Sequence, residues 1–422
     1  MAGITITTVD RKVVPGVRFN LESPCPGDGL HGWAIAIAGW IFTPPGAPPL
    51  SALFVVADGE DLGRINPGLP RPDVAEQFPG SPDASGFYLA ISALECAPRF
   101  SFDVTAEQES GERVVLATVH GTRHPLEPAT GSRFQPLILN CLGRVGSTWI
   151  SFLLDRHPEV LAYRAFEFET RTLVYWLEIL KAIGRPRSYF QAFAADLSNP
   201  RWWVGDADPA PVRSMPDDAV LQWMGGVGVQ DLAALCGRQV DGFYATVADL
   251  QQKPRARFFV EKTGHPFHCR AARELYPGGR EVFLVRDFRD MFTSMRQHFA
   301  AHQAEPISDH ELLESVTRNL AAYSRQWAHR GDESRLLRYE DLVREPEATL
   351  TALLGWMGVD ASRATVDAML ADASSSLPHL QAEHRTARNS AESIGRWKRD
   401  LPAALRDACD AALAPLCATF GY

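Results

Sequence analysis

The stretch LILNCLGRVGSTWISFLLDRHPEV, residues 137–160, decides the fold of the larger part of the chain. An apolar run ends near Leu142, Gly143 and Gly146 permit a tight turn, and Ser147 opens a segment with apolar residues at helical spacing. Backbone amides at the start of such a helix point to one spot, and the helix dipole favours negative charge there. The stretch therefore predicts a strand, a glycine loop and a helix that hold a phosphate-like anion.

Short apolar segments alternate with long helical stretches through the rest of this region. The strand candidates are PLILNCL, ARFFVEK, EVFLVRD and SRLLRYED. Such alternation predicts a parallel sheet with helices on both faces. Residues Tyr189–Met224, rich in Pro, Asp and Trp, are interpreted as an irregular insertion of the kind that forms lids or binding surfaces.

The region from Gly32 to about His120 has a different character. Its runs AIAIAGWIF, SALFVVAD, GFYLAIS, RFSFDVTA and RVVLATV are β-rich and separated by Pro, Gly and Asp clusters. This pattern predicts a small antiparallel sandwich. We therefore expect a β-sandwich accessory domain over residues 1–120, a linker over 121–135 and an α/β domain over 136–422.

Composition narrows the possible partners and compartments. The 422 residues include 45% hydrophobic and 22% charged residues, as in a soluble globular protein, and the net charge of −9 argues against a nucleic-acid partner. Seven scattered cysteines without CxxC spacing indicate buried free thiols and no metal site. Because no apolar run approaches the ~20 residues that span a bilayer, and no signal peptide is evident, we expect a cytoplasmic protein without a transmembrane segment.

A second anion site is predicted from EVFLVRDFRDMFTSMRQHF, residues 281–299. Arg286 stands at a strand end, and Ser294 follows eight residues later in a helix. An arginine and a hydroxyl that converge at the carboxyl edge of a sheet can bind an anion. A helix start with solvent-exposed salt bridges is the alternative interpretation. If both sites are real, the ligand has two separated phosphates.

A P-loop NTPase is the competing interpretation of the glycine loop. It requires GxxxxGK[ST], with a lysine for the terminal phosphates and a hydroxyl on magnesium. The loop here has Arg144 and no lysine, and Arg286 stands where an NTPase would have a carboxylate for the metal. We therefore expect no metal.

LGRVGSTWI followed by LVRDFRDMFTS closely resembles the two nucleotide-binding motifs of sulfotransferases that use 3′-phosphoadenosine-5′-phosphosulfate (PAPS). LLRYEDLVREPEATLTALLGWMGV and SIGRWKRDLP are similar to later segments of that family, so the resemblance covers residues 135–422. Two residues depart from its pattern. Val145 replaces a serine, which removes a hydroxyl but keeps the amide, and Phe288 replaces a proline.

The resemblance implies an α/β fold with a P-loop-type parallel sheet flanked by helices, preceded here by the small all-β sandwich. It implies transfer of a sulfuryl group from PAPS to a hydroxyl, without metal and with 3′-phosphoadenosine 5′-phosphate (PAP) as product. The acceptor would be a small molecule or a glycan. Such transfer depends mostly on positioning and donor placement, because its transition state is loose and in-line. The alternatives are a P-loop kinase or nucleotidase and a non-catalytic nucleotide- or glycan-binding protein.

The resemblance also assigns residues to the nucleotide. They are Gly143, Arg144, Val145, Gly146, Ser147, Thr148, Trp149, Arg286, Ser294, Tyr339, Arg396 and Lys398. Trp149 and Tyr339 would pack on the adenine, although aromatic residues at such positions are also typical of a core. Arg396 and Lys398 would cover the 3′-phosphate, or belong to a solvated basic run.

The resemblance also assigns catalytic roles to individual residues. Lys262 and Arg144 would supply cations, and Glu167 is the first choice for the base that takes the acceptor's proton. His265 is the second choice, and Glu169 is a further candidate. The structural alternatives are a helix-start carboxylate for Glu167 and a cap or core histidine for His265.

The N-terminal region carries a weaker resemblance. GWIF, RPDV at residues 71–74 and SGFYLAI are similar to a β-sandwich found beside bacterial glycosyl- and sulfotransferase domains. This resemblance implies a binding or oligomerisation module, or an inert structural one, and it favours a glycan acceptor. Trp33 and Trp40 are interpreted as sandwich core.

Overall fold

The computed structural model describes residues 3–30, 33–109, 111–128, 131–184, 219, 223, 227–302, 307–371 and 390–422. The chain divides into two compact units. The N-terminal unit comprises Met1–Pro128 and Trp176–Cys236, and the α/β unit comprises Ala129–Tyr175 and Gly237–Tyr422. The predicted insertion at Tyr189–Met224 lies outside the described residues except for positions 219 and 223. The predicted domain limits stay predictions. The last strand of the N-terminal unit ends at Arg123, shortly after the predicted limit at residue 120.

Among the described residues of the N-terminal unit, nine antiparallel strands form two sheets. They are β1 (Ile4–Arg11), β2 (Arg18–Ser23), β3 (Gly29–Leu30), β4 (Ala34–Phe42), β5 (Leu50–Ala57), β6 (Glu60–Ile65), β7 (Gly86–Ser92), β8 (Arg99–Gln108) and β9 (Arg113–Arg123), with the short helix α1 (Pro72–Gln77) before β7. One sheet has the order β3-β1-β9-β8-β5-β6 and the other β2-β4-β7. The all-β prediction for this region is confirmed.

The packing of β4 follows from its period-two alternation. Ile35, Ile37 and Ile41 are buried, whereas the residues between them are half-exposed. Trp33 lies in the core as predicted, but the alternation places Trp40 on the other face, 5.4 Å from the Phe78 ring. Trp40 is therefore not a core residue.

The α/β unit is built on a five-stranded parallel sheet with the order β11-β12-β10-β13-β14. Its strands are β10 (Gln135–Asn140), β11 (Val160–Leu161), β12 (Phe258–Lys262), β13 (Arg280–Val285) and β14 (Ser334–Arg338). The helices that follow along the chain are α2 (Ser147–Asp155), α3 (Thr172–Gly184), α4 (Gly228–Leu250), α5 (Pro266–Leu275), α6 (Phe288–His302), α7 (Asp309–Ala328), α8 (Tyr339–Arg344), α9 (Pro346–Met357), α10 (Arg363–Ala371), α11 (Trp397–Asp400) and α12 (Ala403–Ala418). The predicted parallel sheet flanked by helices is confirmed.

The order of the strands determines where the candidate anion-binding site lies in the α/β unit. Strand β10 is central, between β12 and β13, with Leu139 beside Lys262 and Asn140 beside Phe283. The loops that leave these three parallel strands therefore meet at one edge of the sheet, which is where open α/β sheets bind ligands. All five residues of β12 are buried.

Two further features concern the described residues only. No helix among them has the length and apolar character needed to cross a bilayer. All seven cysteines are free, and all are buried except the exposed Cys25 and the half-buried Cys141, so the prediction of buried thiols is wrong for these two.

Candidate functional site

The loop between β10 and α2 depends on glycine at position 146. Gly146 is the N-cap of α2 with a φ of +88°, in the left-handed region that side chains disfavour. A Cβ atom there would also lie 2.6 Å from Cδ2 of Tyr339. Gly143 is different, because a Cβ atom on it would meet its nearest neighbour, Cε of Met295, at an ordinary 3.5 Å. The tight turn therefore requires Gly146 specifically.

We expect Gly146→Ala to destabilise the protein by about 1–3 kcal/mol, the usual cost of a strained backbone position. Urea unfolding would measure the change in the free energy of unfolding. Gly143→Ala is the matched control, and it should leave this free energy unchanged or raise it by up to about 1 kcal/mol. Equal stabilities for the two variants would contradict the close packing of Tyr339 on the loop.

Three arginine side chains converge on one side of this loop: Arg144, Arg286 and Arg396, here called the arginine cluster. Nε of Arg144 donates to Oγ of Ser294 at 3.2 Å, and Nη1 of Arg286 donates to the Arg144 carbonyl oxygen at 3.4 Å. Burial lowers the pKa of Arg144, and repulsion from Arg286 and Arg396 lowers it further. Arg286 and Ser294 both contact Arg144, and their joint role as an anion site stays a prediction.

Arg286 and Arg396 are fixed by their surroundings. Nη2 of Arg286 donates to the Ser393 carbonyl oxygen, and its guanidinium lies 4.9 Å from the ring centroid of Tyr339. Among the described residues, the buried Nε of Arg286 has no hydrogen-bond partner. Nε of Arg396 donates to Asp400 at 2.9 Å. The Arg286 guanidinium is about 95% buried and forms no ion pair with any residue that the structure describes. Burial of such a charge is costly, and a bound anion would offset that cost.

Asp290, which the sequence did not single out, holds the segment that carries Arg396. Its carboxylate accepts hydrogen bonds from the amides of Gly395 at 2.6 Å and Trp397 at 2.9 Å. Burial raises the pKa of this carboxyl group, and the hydrogen bonds oppose that shift. Lys398 is exposed, with Nζ 5.6 Å from the Trp397 ring centroid.

The aromatic pair assigned to the adenine lies beside the arginine cluster. The rings of Trp149 and Tyr339 are 5.9 Å apart in an edge-to-face arrangement, and the Tyr339 hydroxyl is 3.1 Å from Oγ of Ser393. Tyr339 is buried and Trp149 is half-buried. Their contact with adenine stays a prediction.

The two departures from the family pattern have a packing explanation. Val145 and Phe288 are both buried in the hydrophobic core of the α/β unit. The Phe288 ring packs edge-to-face against Phe420 at 5.5 Å. The loop therefore loses a hydroxyl at position 145 and gains a core contact.

Lys262 lies on the other side of the same loop. Its Nζ donates to Oγ1 of Thr148 at 3.2 Å and pairs with Oε1 of Glu169 at 2.6 Å. Lys262 is buried, whereas the Glu169 side chain is 42% exposed and also bonds to Arg171 at 3.1 Å. The ammonium group is thus directed at the start of α2.

A cavity of about 310 Å³ opens at this point. Its lining combines glycine-loop residues, the end of β12 and the segment before α3: Cys141, Leu142, Gly143, Ser147, Glu169, Arg171, Val174, Lys262, Thr263, Gly264, His265 and His268. A carboxylate, an ammonium group and two imidazoles therefore share one solvent-accessible space. Carboxylates and imidazoles are the side chains that most often act as general bases, so this space can hold a proton-transfer step.

His265 has the structural role named as its alternative. It is the N-cap of α5, and its Nδ1 accepts a hydrogen bond from the Phe267 amide at 3.2 Å. The ring is nevertheless exposed and lines the cavity. Nearby, Oγ1 of Thr263 lies 2.9 Å from Nδ1 of His268.

Glu167 belongs to the short 3-10 helix Ala165–Phe168, which precedes α3. Its side chain lies outside the described residues, so the first choice of base stays a prediction. Glu169, two residues later, is the carboxylate that contacts Lys262. The sequence offered both in AFEFET but could not tell which one faces the lysine.

The sequence model of a family described as "Sulfotransferase family" matches residues 136–363. No curated protein sequence matches the chain. Among solved structures, a sulfotransferase from Mycobacterium avium is 16% identical over 68% of this chain and 77% of its own, with a TM-score of 0.36. The sulfotransferase domain of the Synechococcus olefin synthase is 17% identical over 71% and 99%, with a TM-score of 0.40. A mouse sulfotransferase complexed with PAP is 10% identical over 69% and 85%, with a TM-score of 0.36.

Proposed function

Because this chain belongs to the sulfotransferase family, we propose that it transfers the sulfuryl group of PAPS to a hydroxyl group of an acceptor molecule. The observation that supports the proposal most strongly is the placement of cations on two sides of one glycine loop. The arginine cluster lies by Ser294 and Lys262 lies by Thr148. A donor with phosphates at two positions of its ribose would satisfy both.

The arginine cluster is the proposed site of the 3′-phosphate. Ser294 would donate its hydroxyl. The buried Nε of Arg286, which has no partner in the part of the chain that the structure describes, would gain an acceptor. A phosphate would also relieve the mutual repulsion that lowers the pKa of Arg144. Arg144 therefore keeps in this proposal both roles that the resemblance implies, donor binding and catalysis.

The 5′-phosphosulfate is assigned to the loop itself. Ser147 and Thr148 form the first turn of α2, where backbone amides lack partners within the helix and the dipole favours negative charge, so these amides would donate to the anion. Ser147 and Lys262 line the cavity there, and Thr148 bonds to Lys262. The sulfur would thus face the cavity that we propose for the acceptor hydroxyl.

The proposed reaction is an in-line displacement at sulfur. The acceptor oxygen forms a new bond to sulfur, while the bond between sulfur and the bridging oxygen of the donor breaks. The acceptor's proton passes to the Glu169 carboxylate, and PAP leaves with the negative charge that develops on its phosphate. The Lys262 ammonium stabilises that charge, the type of contribution that dominates many such sites.

The test is a calorimetric titration with PAP. The unmodified protein should bind PAP, and Arg286→Ala should weaken binding by the value of a charged hydrogen bond, about 1.5–3 kcal/mol, or roughly 10- to 150-fold. Arg363→Ala is the matched control, because that side chain is 92% exposed and pairs only loosely with Asp367 at 3.6 Å.

Transfer of radiolabelled sulfate from PAPS to a panel of sugar, phenol, lipid and peptide hydroxyls would then identify the acceptor class. Failure to bind PAP would refute the proposed donor. Binding of PAP without transfer to any acceptor would instead support a non-catalytic nucleotide-binding protein, and magnesium-dependent turnover of ATP would support a kinase or nucleotidase.

A further inference from the structure

Glu261 is a charged residue at the centre of the α/β unit, on the strand that carries Lys262. It is fully buried and follows Phe258, Phe259 and Val260, which are also buried. Because side chains alternate along a strand, Glu261 and Lys262 point to opposite faces of the sheet. Burial of an ionisable group at such a position is costly unless it makes compensating bonds.

The carboxylate bonds to the beginning of helix α3. Its Oε1 accepts the Leu173 amide at 2.7 Å, and its Oε2 accepts the Val174 amide at 3.2 Å. These amides belong to the first turn of α3, where donors have no partner within the helix. Glu261 therefore joins the start of α3 to the end of β12.

A hydroxyl group also donates to the Glu261 carboxylate. Tyr244 of α4 donates to Oε1 at 2.7 Å, and its ring stacks on Phe259 at 4.1 Å. Burial raises the pKa of Glu261 to about 7, although the hydrogen bonds from Leu173, Tyr244 and Val174 oppose the shift. The pKa of Tyr244 is raised well above its ordinary value, so its hydroxyl stays neutral and donates.

The segment that Glu261 anchors forms one wall of the cavity. Glu169 and Arg171 directly precede α3, and Val174 lies in its first turn; all three line the cavity. Glu169 approaches Lys262 from this wall, at 2.6 Å. A shift of the α3 start would therefore move the proposed base relative to the proposed cation.

We propose that Glu261 is a positioning residue for sulfuryl transfer, whose carboxylate anchors the first turn of α3 to β12 and thereby sets the position of Glu169 relative to Lys262. The catalytic part of this inference rests on the proposed function. Misplacement of a reacting group by about 1 Å can reduce a rate 10²-fold, so a buried anchor can matter as much as a contact with the substrate.

If Glu261 anchors α3 as a carboxylate, kcat should depend on pH and should fall as the pH is lowered. The groups that face Glu261 are the amides of the first turn of α3 and the hydroxyl of Tyr244 from α4. The ionised carboxylate accepts from all of them, whereas a proton on it removes the charge from these bonds and occupies one acceptor position. As pH falls through about 7, the anchor should loosen and kcat should fall.

The decisive variant is Glu261→Gln, compared with Glu281→Gln. Glu281 is also a buried carboxylate in the same sheet, but it bonds to Arg273 at 2.6 Å and Ser334 at 2.8 Å. We expect Glu261→Gln to lower kcat about 10- to 100-fold with unchanged affinity for PAP. We also expect faster hydrogen exchange at the amides of residues 172–174 in Glu261→Gln and not in Glu281→Gln.

Tyr244→Phe is the second variant, and it keeps the carboxylate. Loss of the hydroxyl should raise the pKa of Glu261, so kcat should be reduced at pH 7 and recover at higher pH. Unchanged exchange at residues 172–174 in Glu261→Gln, or a Tyr244→Phe profile that superimposes on that of the unmodified protein, would overturn the inference. Faster exchange in a protein that never transfers sulfate would refute the proposed function and leave the anchor standing.

Discussion

Lys262→Met should reduce sulfate turnover about 10²- to 10³-fold and should also weaken PAP binding, by the value of one charged hydrogen bond, about 1.5–3 kcal/mol. The Lys262 side chain is 5% exposed, and its Nζ contacts Thr148 at 3.2 Å and Glu169 at 2.6 Å. It therefore faces the point where negative charge would develop in the transition state. PAP keeps the 5′-phosphate that Lys262 would face, but the arginine cluster would still hold its 3′-phosphate, so binding should persist at reduced affinity. Single-turnover kinetics and calorimetry would separate the two effects.

Lys253→Met is the matched control for loss of a buried ammonium group. Lys253 pairs with Asp155 at 3.0 Å and donates to the Val160 carbonyl at 2.7 Å, and it is not among the residues that line the cavity. This variant should lose stability without a comparable loss of turnover per folded molecule. If Lys262→Met retained the kcat of the unmodified protein, the assignment of the catalytic cation would be wrong.

Local patterns in the sequence were sufficient to predict the α/β unit. The β10–loop–α2 unit is encoded within residues 137–160, although Tyr339, Arg286 and Ser294 contact its glycine loop from distant positions in the sequence. Parallel strands with both faces buried are continuously apolar, which explains why β10, β12 and β13 were recognised.

Weakly patterned strands escaped prediction. Strands β1 and β2 precede Gly32, where the predicted β-rich region began, and β1 buries only Ile4 and Ile6. In β2 only Leu21 is buried. Period-two alternation is confined to ITIT in β1 and FNL in β2, which is too short to reveal that β1 pairs with β9.

Contacts between residues distant in sequence explain what was missed in the site. Asp290 binds the amides of Gly395 and Trp397, more than one hundred residues later. Glu261 binds amides that lie 87 and 88 residues earlier. A charged residue within the apolar strand FFVEK was a usable signal for Glu261, because it implies a buried partner. The identity of that partner depends on the tertiary fold.

Glu169→Gln should reduce kcat about 10²- to 10⁴-fold, the usual contribution of a general base, with unchanged affinity for PAP. Glutamine keeps the size of the side chain and its hydrogen-bonding reach but cannot take the proton of the acceptor hydroxyl. The Glu169 carboxylate lines the cavity and contacts Lys262, so it lies where an acceptor would meet the donor. Initial rates of sulfate transfer at saturating PAPS would measure the effect.

Glu167→Gln and His265→Ala distinguish the remaining candidates for the base. His265 caps α5 through its Nδ1, so His265→Ala should lower stability by about 0.5–2 kcal/mol through loss of the cap. If Glu169 is the base, kcat per folded molecule should fall far more in Glu169→Gln than in His265→Ala. If Glu167→Gln causes the large loss of kcat instead, Glu167 is the base and Glu169 serves to hold Lys262. In that case Glu169→Gln should change the affinity for PAPS more than the rate of transfer.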